Sequence, residues 1–555
     1  MIGPAKLGPA PRNTMPPADR VMALILSGLT LATRWPYRAH LLPTWDAVQF
    51  ALALERYDVV RHQPHPPGYI LYVALGRLAE FGLGEPAVAL GSLAILASAA
   101  AVFFLYQLGW QLYGRGPALV AALGLVASPL FWAYGVVGLP YTAEAALTVA
   151  IVIGAWSMRH GRVRALVASA VLLGLGAGVR QSMLLTMSPL WLVMAWRGFR
   201  RPGPVLAGVG LIALTTTAWL GPMLWLTGIE RYLAAGVDLY ESTVRATTLF
   251  GDGWSRNATA LGAALLVGMG VFLPLLAWGL RRTPGRLLRG GDRTVLFALW
   301  TLPALALYVF VHFGQLGYLL TILPACYLVV GRALMELSSG NRDAVTPRPG
   351  RRVWAGVGLG LLLGAHVAFF TMARAVDVPV PPAGASTSAR LSADLRALYR
   401  FRLWSHTAAG LREQEAVIGD YVTAIRSRFD PHDTVLVTEL GNPRSYPWFR
   451  HVMYYLPEYP AYHLRLGEAS PGYLVSRDLR SMAALPERRI PLPVTTRRVV
   501  WVVDEWHPGL PRPAALEVQP LAHGRSLYVL RVRRGAIDYA GYRLAPVTAV
   551  ARVHG

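Results

Sequence analysis

Two hydrophobic patterns divide the chain. From residue 19 to residue 375, long apolar runs alternate with short polar segments, whereas beyond residue 375 such runs stop and charged residues become frequent. An apolar run of about 18 or more residues is long enough to cross a bilayer as a helix. The pattern therefore predicts a polytopic α-helical membrane domain followed by a soluble C-terminal domain, residues 376–555. Residues 1–18, rich in Pro, Gly and Ala, are predicted to form a disordered tail.

The membrane domain is predicted to contain eleven spans. The first is short, and a signal peptide is the competing interpretation. We favour an uncleaved helix that continues past Arg34, because an arginine side chain can extend to the membrane interface. A further helix at residues 67–81 carries Arg77 and Glu80, which favours a position at the interface. The predicted spans are residues 21–33, 87–112, 117–134, 141–158, 165–179, 183–196, 205–226, 260–280, 294–311, 316–330 and 354–372.

Arginine is distributed unevenly between the predicted loops. With the N-terminus inside, the inner segments are rich in arginine, and the outer loops hold most of the loop carboxylates. Positive residues collect in cytoplasmic loops. Residues 36–86 and 228–257 are therefore predicted to be outer loops. An odd number of spans then places the C-terminal domain on the extracytoplasmic side of an inner (cytoplasmic) membrane.

The C-terminal part has patterns of both secondary structures. Residues 433–440, 498–505 and 526–534 are rich in β-branched and aromatic residues and are predicted strands. Residues 408–429 have the periodicity of an amphipathic helix. These elements predict an α/β domain. The chain has no G-x-x-x-x-G-K-[ST] motif, so ATP-driven transport has no support.

The high net charge of the chain raises the question of whether it binds nucleic acid. The chain is 54% hydrophobic and only 15% charged, yet its formal net charge is +23. Such a charge is compatible with nucleic-acid binding, but arginine in cytoplasmic loops explains it without a nucleic-acid partner, and we predict none. Cys326 is the only cysteine, which excludes an intramolecular disulfide and a thiolate metal cluster.

The first outer loop is rich in ionisable residues. Asp46 lies between Trp45 and an apolar run, so we predict that it is partly shielded from water and acts as a general base or holds a cation. Asp58, further along the loop, is predicted to be a solvated carboxylate. His62 and His65 are three residues apart, but the prolines around them forbid a regular helix. We therefore favour a hydrogen-bonding, substrate-orienting role for His65 over metal ligation.

Two charged residues lie in or beside predicted spans. Glu144 falls one to two turns inside the outer end of span 141–158, where a carboxylate is costly and usually functional. Pairing with an arginine is its structural alternative. Arg180 follows fifteen uncharged residues and is predicted to emerge near the outer face. It either extends to the interface or binds an anion, for which the planar guanidinium suits phosphate.

Two other outer segments contain candidate site residues. Gln315 and Tyr318 lie in a predicted tight turn, where they serve either as capping groups or as site residues. Arg245 lies in the loop 228–257, whose charged and aromatic residues are placed to close over a site. Spacing alone leaves these alternatives open.

The order of these segments resembles that of the GT-C glycosyltransferases, most closely the bacterial protein O-mannosyltransferase-like branch. The resemblance covers roughly residues 20–335 and rests on "WDAVQF", "HPPGYILYV", "LPYTAEAAL", "GAGVRQSMLL" and "GQLGYLL". It implies a polyprenyl-phosphate-linked sugar as donor and a reaction at the outer face. It also implies that Asp46 and Glu144 are catalytic, Asp46 as the acidic residue of the first loop and Glu144 as a second acidic group near the site, and that Arg180 is a ligand of the donor phosphate.

The remaining site predictions complete this hypothesis. We expect His65 and Arg245 to contribute to donor binding, and a divalent cation, Mg²⁺ or Mn²⁺, stays open as a cofactor. The acceptor hydroxyl is expected to belong to a protein, a lipid or a glycan, with the C-terminal domain as an acceptor-recognition module. Residues predicted to orient the substrate are His62, Tyr69, Gln315 and Tyr318.

Two other classes of function stay open at this point. A transporter or lipid flippase would use the intramembrane charges as a relay, but transporters show inverted repeats with broken helices in matching halves, which this sequence lacks. A catalytically inactive binding or scaffold protein is the third class. We favour inverting glycosyl transfer, because a transporter does not need a large outer domain.

The predicted orientation can be tested with single cysteines in a Cys326→Ser background. Leu440→Cys is expected to react with a membrane-impermeant maleimide on intact cells, and Gly285→Cys only after the cells are opened, because the arginine-rich segments face the cytoplasm. Labelling of Gly285→Cys on intact cells would show that the orientation is the reverse of the predicted one.

Overall fold

The structure is a computed structural model. It describes residues 15–251, 253–281, 291–312, 314–339, 349–379, 386–442, 444–467, 472–476, 481–485, 487–532 and 536–546. The described chain forms two compact units. The first comprises Met1–His40, Tyr57–Val60 and His65–Leu411, and the second comprises Leu41–Arg56, Arg61–Pro64 and Arg412–Gly555.

The regular secondary structure of the first unit is helical in its described residues. Its helices are α1 (Pro17–Arg34), α3 (Ile70–Leu83), α4 (Pro86–Tyr113), α5 (Arg115–Ala127), α6 (Pro129–Tyr134), α7 (Tyr141–Met158), α8 (Val163–Val179), α9 (Ser182–Phe199), α10 (Pro202–Thr227), α11 (Ile229–Leu239), α12 (Trp254–Met269), α13 (Leu273–Arg281), α14 (Asp292–Ala306), α15 (Leu323–Ser339), α16 (Pro349–Met372) and α17 (Thr387–Leu398).

Each of the eleven predicted spans coincides with helical backbone, but four of them are interrupted. The span 117–134 breaks at Ser128, whose hydroxyl accepts a hydrogen bond from the peptide of Phe131 and so starts α6. The span 260–280 breaks at Gly270, where φ is +40°. Turns at Leu307–Val311 and Leu316–Thr321 replace regular helix at the ends of the next two spans.

Six stretches of the described residues are long and apolar enough to cross a membrane. They are Pro86–Tyr113, Tyr141–Met158, Pro202–Thr227, Trp254–Arg281, Asp292–Val311 and Val353–Met372. The shorter apolar helices include Arg115–Ala127 and Val163–Val179. The count of eleven spans therefore stays a prediction.

Burial separates central helices from peripheral ones. In α7, 72% of the apolar stretch is buried, because this helix packs against α4, α8 and α9. In α10 only 11% is buried, and its side chains Leu206, Leu214 and Trp225 are exposed. Large exposed apolar side chains on so long a helix are expected to contact lipid.

The ends of the predicted tail and interfacial helix differ slightly from the structure. Residues 1–14 of the tail 1–18 lie outside the described residues, and α1 begins at Pro17. The helix predicted at residues 67–81 is α3, which begins at Ile70. It begins later because Gly68 has a φ of +109°, and a Cβ there would meet the Tyr57 hydroxyl at 2.7 Å.

The second unit is an α/β fold with two sheets. A seven-stranded sheet has the order β4-β3-β2-β1-β6-β8-β7, with β1 parallel to β2 and β6, and a three-stranded sheet has the order β5-β10-β9. The helices are α2 (Trp45–Glu55), α18 (Ala408–Arg428) and α19 (Phe449–Tyr455). The strands are β1 (Thr434–Leu440), β2 (Ala461–Arg465), β3 (Gly472–Ser476), β4 (Ser481–Ala484), β5 (Arg489–Leu492), β6 (Arg498–Trp501), β7 (Glu517–Pro520), β8 (Ser526–Arg531), β9 (Ile537–Tyr539) and β10 (Tyr542–Pro546).

The predicted elements of this unit appear as β1, β6, β8 and α18. Strand β6 is shorter than the predicted 498–505 because the chain turns after Val503. The carboxylate of Asp504 accepts hydrogen bonds from the Tyr446 peptide at 2.7 Å and from the Trp448 indole at 3.2 Å. These bonds take the backbone out of the strand.

Helix α2 belongs to the second unit although it lies far from the other members in sequence. The Leu42 peptide donates to the Tyr455 hydroxyl at 2.8 Å, and Trp45 packs edge-on against Phe449 with ring centroids 4.4 Å apart. The boundary predicted between residues 375 and 376 cuts the chain once, whereas the contacts assign part of the first outer loop to the second unit and residues up to Leu411 to the first.

Candidate active site

A buried ion pair joins two of the predicted site residues. Glu144 lies in the first turn of α7 and is completely buried, and its Oε2 is 3.0 Å from Nε of Arg180, whose side chain is 4% exposed. The other carboxylate oxygen accepts hydrogen bonds from Tyr308 at 3.1 Å and Thr321 at 3.0 Å. Burying a carboxylate is costly, and the contacts with Arg180, Tyr308 and Thr321 offset part of that cost.

Arg180 lies where α8 ends. Its backbone is extended, which stops the helix, and α9 starts two residues later at Ser182. The Arg180 Nε also donates to the Ser182 hydroxyl at 3.2 Å, which in turn bonds with Tyr308 at 3.1 Å. Both polar contacts use Nε, and the two terminal guanidinium nitrogens have no hydrogen-bond partner among the described residues. They are therefore available to a ligand.

Three tyrosines enclose the guanidinium group. The Cζ of Arg180 is 4.7 Å from the ring centroid of Tyr141 and 4.5 Å from that of Tyr318. Tyr308 stacks on Tyr318 with centroids 4.6 Å apart, and the Tyr141 hydroxyl donates to the Gln315 side chain. Cation–π contacts hold an arginine over aromatic faces without occupying its N–H groups. Tyr318 thus faces Arg180, and Gln315 is joined to the same group of residues through Tyr141.

The turn at Gly317 makes this enclosure possible. A Cβ on Gly317 would lie 2.7 Å from the Tyr141 ring. Only a glycine lets the backbone approach the ring so closely. The "GQLGYLL" segment therefore packs directly against the start of α7.

The "HPPGY" segment is hydrogen-bonded to the turn between α8 and α9, which contains Arg180. The Gln181 amide donates to the carbonyl of Pro67 at 2.9 Å, and the Tyr232 hydroxyl donates to the same carbonyl at 3.2 Å. His65 Nε2 is 3.3 Å from the Tyr69 hydroxyl, and their rings are 5.1 Å apart. Gln181 is adjacent to Arg180 in sequence, so His65 and Tyr69 are tied to the Arg180 turn.

Asp46 and His62 are found in the second unit. Asp46 occupies the first turn of α2, where the Thr44 hydroxyl accepts a hydrogen bond from the Ala47 peptide at 3.2 Å and caps the helix. The aspartate is half-buried, as predicted from its apolar flank. The Trp45 peptide donates to the Tyr446 hydroxyl at 2.7 Å. Burial, and secondarily the charge of Asp46, raises the pKa of Tyr446, so this phenol stays protonated beside the carboxylate.

Arg245 differs from the other predicted donor ligands. It is exposed and forms an ion pair with Glu241 one turn earlier, at 2.7 Å. Asp58, expected to be solvated, is half-buried, whereas Glu55 is exposed. The structure gives Arg245 no contact with the tyrosine-enclosed Arg180 among its described residues, and its role in donor binding stays a prediction.

Some residues of the Arg180 site were not predicted from the sequence. Tyr308, Thr321, Gln181 and Ser182 are uncharged and lie within apolar helices or next to them. Gln181 and Ser182 follow Arg180 inside the quoted "GAGVRQSMLL", and that adjacency was the available signal. No sequence feature indicated Tyr308 or Thr321 as site residues, because only the fold brings them to Glu144.

A resident metal ion finds no obvious ligand set here. Among the described residues, no group of three or more His, Cys, Asp or Glu side chains is arranged to hold one. Asp46 alone would supply one carboxylate, and Glu144 is engaged by Arg180, Tyr308 and Thr321. The Mg²⁺ or Mn²⁺ left open above therefore enters no step of the mechanism below.

Comparisons with known proteins concern the fold and the family of the membrane part. A family model described as the protein O-mannosyl-transferase TMEM260 N-terminal domain matches residues 62–202, which include His65, Glu144 and Arg180. The fold is similar to that of ArnT from Cupriavidus metallidurans in the apo state, with a TM-score of 0.51 and 12% identity over 93% of this chain and 97% of that chain. No curated protein is similar enough in sequence to match.

Two further solved structures are more distant. ArnT from Cupriavidus metallidurans bound to undecaprenyl phosphate gives a TM-score of 0.49 with 14% identity over 93% of this chain and 97% of that chain. The oligosaccharyltransferase from Archaeoglobus fulgidus in the apo form gives 0.42 with 11% identity, over 80% of this chain and 64% of that chain.

These findings define the class of protein. The resemblance to GT-C glycosyltransferases seen in the sequence agrees with the family model over residues 62–202, which also supports the prediction of a glycosyltransferase. The fold class is confirmed as well: a multi-pass helical membrane protein with a C-terminal α/β domain.

The buried ion pair predicts strong coupling between its members. Glu144→Gln should destabilise the protein by about 3 kcal/mol, because it leaves the buried charge of Arg180 without a counter-charge. The double variant Glu144→Gln/Arg180→Gln should lose at least about 1 kcal/mol less than the sum of the single changes. The measurement is thermal unfolding of the purified protein in detergent.

The exposed pair Glu241–Arg245 is the matched control for this cycle. Both side chains are half or more exposed, so Glu241→Gln should leave the unfolding temperature unchanged. Additive effects of the Glu144 and Arg180 changes would show that the pair is not coupled.

Proposed function

We propose that the chain transfers a sugar from a polyprenyl-phosphate donor to an acceptor hydroxyl, with inversion at the anomeric carbon. One observation carries the proposal: Arg180 is buried, charged and fixed through Nε, and its terminal nitrogens are left for a ligand. A guanidinium fork matches phosphate oxygens in two parallel hydrogen bonds. Of the ligands a membrane protein meets, a lipid phosphate fits such a group.

Arg180 would stabilise the leaving group. When the bond between the anomeric carbon and the phosphate oxygen breaks, the polyprenyl phosphate gains one negative charge. A guanidinium that is already in place needs no reorganisation as this charge develops. The surrounding tyrosines exclude water, which strengthens the interaction.

Glu144 would act as a positioning residue. Its carboxylate is completely buried and engaged by Arg180, Tyr308 and Thr321, so it has no surface for a substrate. Its negative charge keeps the arginine in the protein interior and orients the terminal nitrogens. This role replaces the direct catalytic role that the sequence suggested for Glu144.

Asp46 would be the general base. It takes the proton of the acceptor hydroxyl as that oxygen attacks the anomeric carbon and the phosphate leaves from the opposite side. Asp46 is half-buried and is held in the first turn of α2, and a positioned carboxylate of this kind can serve as a general base. His65 and Tyr69 would orient the donor through the "HPPGY" segment.

The finer assignments are part of the same proposal. The acceptor is a protein, lipid or glycan, the membrane is the inner membrane, and the C-terminal unit lies on its extracytoplasmic side and recognises the acceptor. Transport or lipid flipping is not needed to explain the fold.

The first test of the proposal concerns the phosphate. Arg180→Ala should weaken binding of undecaprenyl phosphate by at least about tenfold, and Arg180→Lys by less, because an ammonium keeps the charge but not the bidentate geometry. Undecaprenyl phosphate is chosen because ArnT was solved with it. Equal binding by the wild type and Arg180→Ala would remove Arg180 from the donor site.

The second test concerns the base. Asp46→Asn should lower transfer from a lipid-linked sugar in membranes by at least about 10²-fold, because Asn keeps the shape but cannot accept the proton. Glu55→Gln, at the exposed end of the same helix, should transfer at the wild-type rate. An Asp46→Asn protein with normal unfolding temperature and near-normal transfer would rule out this mechanism.

A further inference from the structure

A second pocket lies between α13, α14 and α15 and shares no residue with the Arg180 site. Its volume is about 320 Å³, within the range of small-molecule sites. One end is lined by polar groups that include Arg293, Arg332 and Glu336, and the other end by Leu302, Leu305 and other aliphatic side chains. From Arg293 to Leu305, α14 rises about 18 Å. The pocket is therefore an elongated cleft with a charged end and an apolar end.

The charged end has an excess positive charge. Arg332 forms an ion pair with Glu336 at 2.6 Å. Arg293 has no hydrogen-bond or ion-pair partner in the described part of the chain, and its guanidinium lies 5.4 Å from the ring centroid of Tyr113. Arg332 lies 5.2 Å from the same centroid. Both guanidinium groups thus border one end of the pocket, and only one of them is neutralised by a carboxylate.

We propose that this pocket binds an anionic phospholipid of the bilayer. The lipid phosphate would contact Arg293 and Arg332, and an acyl chain would lie along the aliphatic wall. Basic pockets between transmembrane helices attract anionic headgroups. A water-soluble anion would bind only the charged end and would leave the apolar wall without a ligand. A zwitterionic lipid would bring its own positive group against the arginines.

The position of the pocket agrees with such a ligand. Arg293 lies in the first turn of α14, at the end of the segment predicted to be cytoplasmic, so the lipid would come from the inner leaflet. The Arg180 site was predicted at the opposite face. The proposal therefore does not depend on the glycosyl donor, and its success or failure is separate from that of the proposed function.

The test is lipid binding to the full chain in detergent, measured by native mass spectrometry. Phosphatidylglycerol is expected to bind at least about fivefold more tightly than phosphatidylcholine with the same acyl chains, the contribution of about one arginine near a lipid phosphate. Arg293→Gln should abolish that preference, and it leaves no described carboxylate unpaired. The matched control is Arg164→Gln on the exposed surface of α8, which should keep the preference.

A second readout uses Cys326, which lines the pocket and is the only cysteine of the chain. Phosphatidylglycerol should slow alkylation of this thiol by a small maleimide, and phosphatidylcholine should slow it less. Thr301→Phe, which places a ring in the pocket, should weaken both lipids while the unfolding temperature in lipid-free detergent stays unchanged.

Several results would overturn the proposal. Equal binding of the two lipids, or equal effects of Arg293→Gln and Arg164→Gln, would show that the pocket does not select an anionic headgroup. Protection of Cys326 by millimolar inorganic phosphate alone would indicate a site for a soluble anion. Displacement of phosphatidylglycerol by equimolar undecaprenyl phosphate, with loss of this displacement in Arg293→Gln, would make the pocket a polyprenyl-phosphate site.

Discussion

The first unit depends on the burial of one ion pair. Placing Glu144 and Arg180 in an apolar interior carries a large desolvation cost, which their mutual attraction offsets only if the remaining polar atoms are also satisfied. Tyr308, Thr321 and Ser182 supply those partners. This requirement brings together α7, the turn between α8 and α9, and the segment from residue 307 to residue 321.

The same requirement explains the irregular backbone of that segment. Between α14 and α15 the chain passes through a wide turn at Leu307–Val311 and a tight one at Leu316–Thr321. Irregular backbone is tolerated at membrane depth only where it is enclosed by protein. In this protein the two turns place Tyr308, Tyr318 and Thr321 next to the ion pair. One straight helix of the same length would not bring all three side chains to it. The interruption of the predicted spans is therefore part of how the site is built.

The residues of the proposed mechanism are held by two different sets of contacts. The leaving-group side, with Arg180 and the "HPPGY" segment, is held by the membrane helices through the Gln181–Pro67 hydrogen bond. The proposed base, Asp46, is held by α2, which packs into the C-terminal fold through Tyr446, Tyr455 and Phe449. The lipid pocket at Arg293 uses neither set of residues.

The sequence by itself determined the elements and the residues whose chemistry is costly to bury. Apolar runs gave the helices, and β-branched runs gave β1, β6 and β8, because these periodicities are local properties of the chain. Asp46, Glu144 and Arg180 stood out because ionisable residues beside apolar runs are rare and usually functional. Only the tertiary structure decided which charges meet. Packing between distant segments decided that Glu144 pairs with Arg180 and that Tyr308 and Thr321 bind the same carboxylate. It also decided that α2 belongs to the second unit. Uncharged partners such as Thr321 leave no trace in a hydrophobicity pattern, since their role exists only once the fold has placed them beside the buried carboxylate.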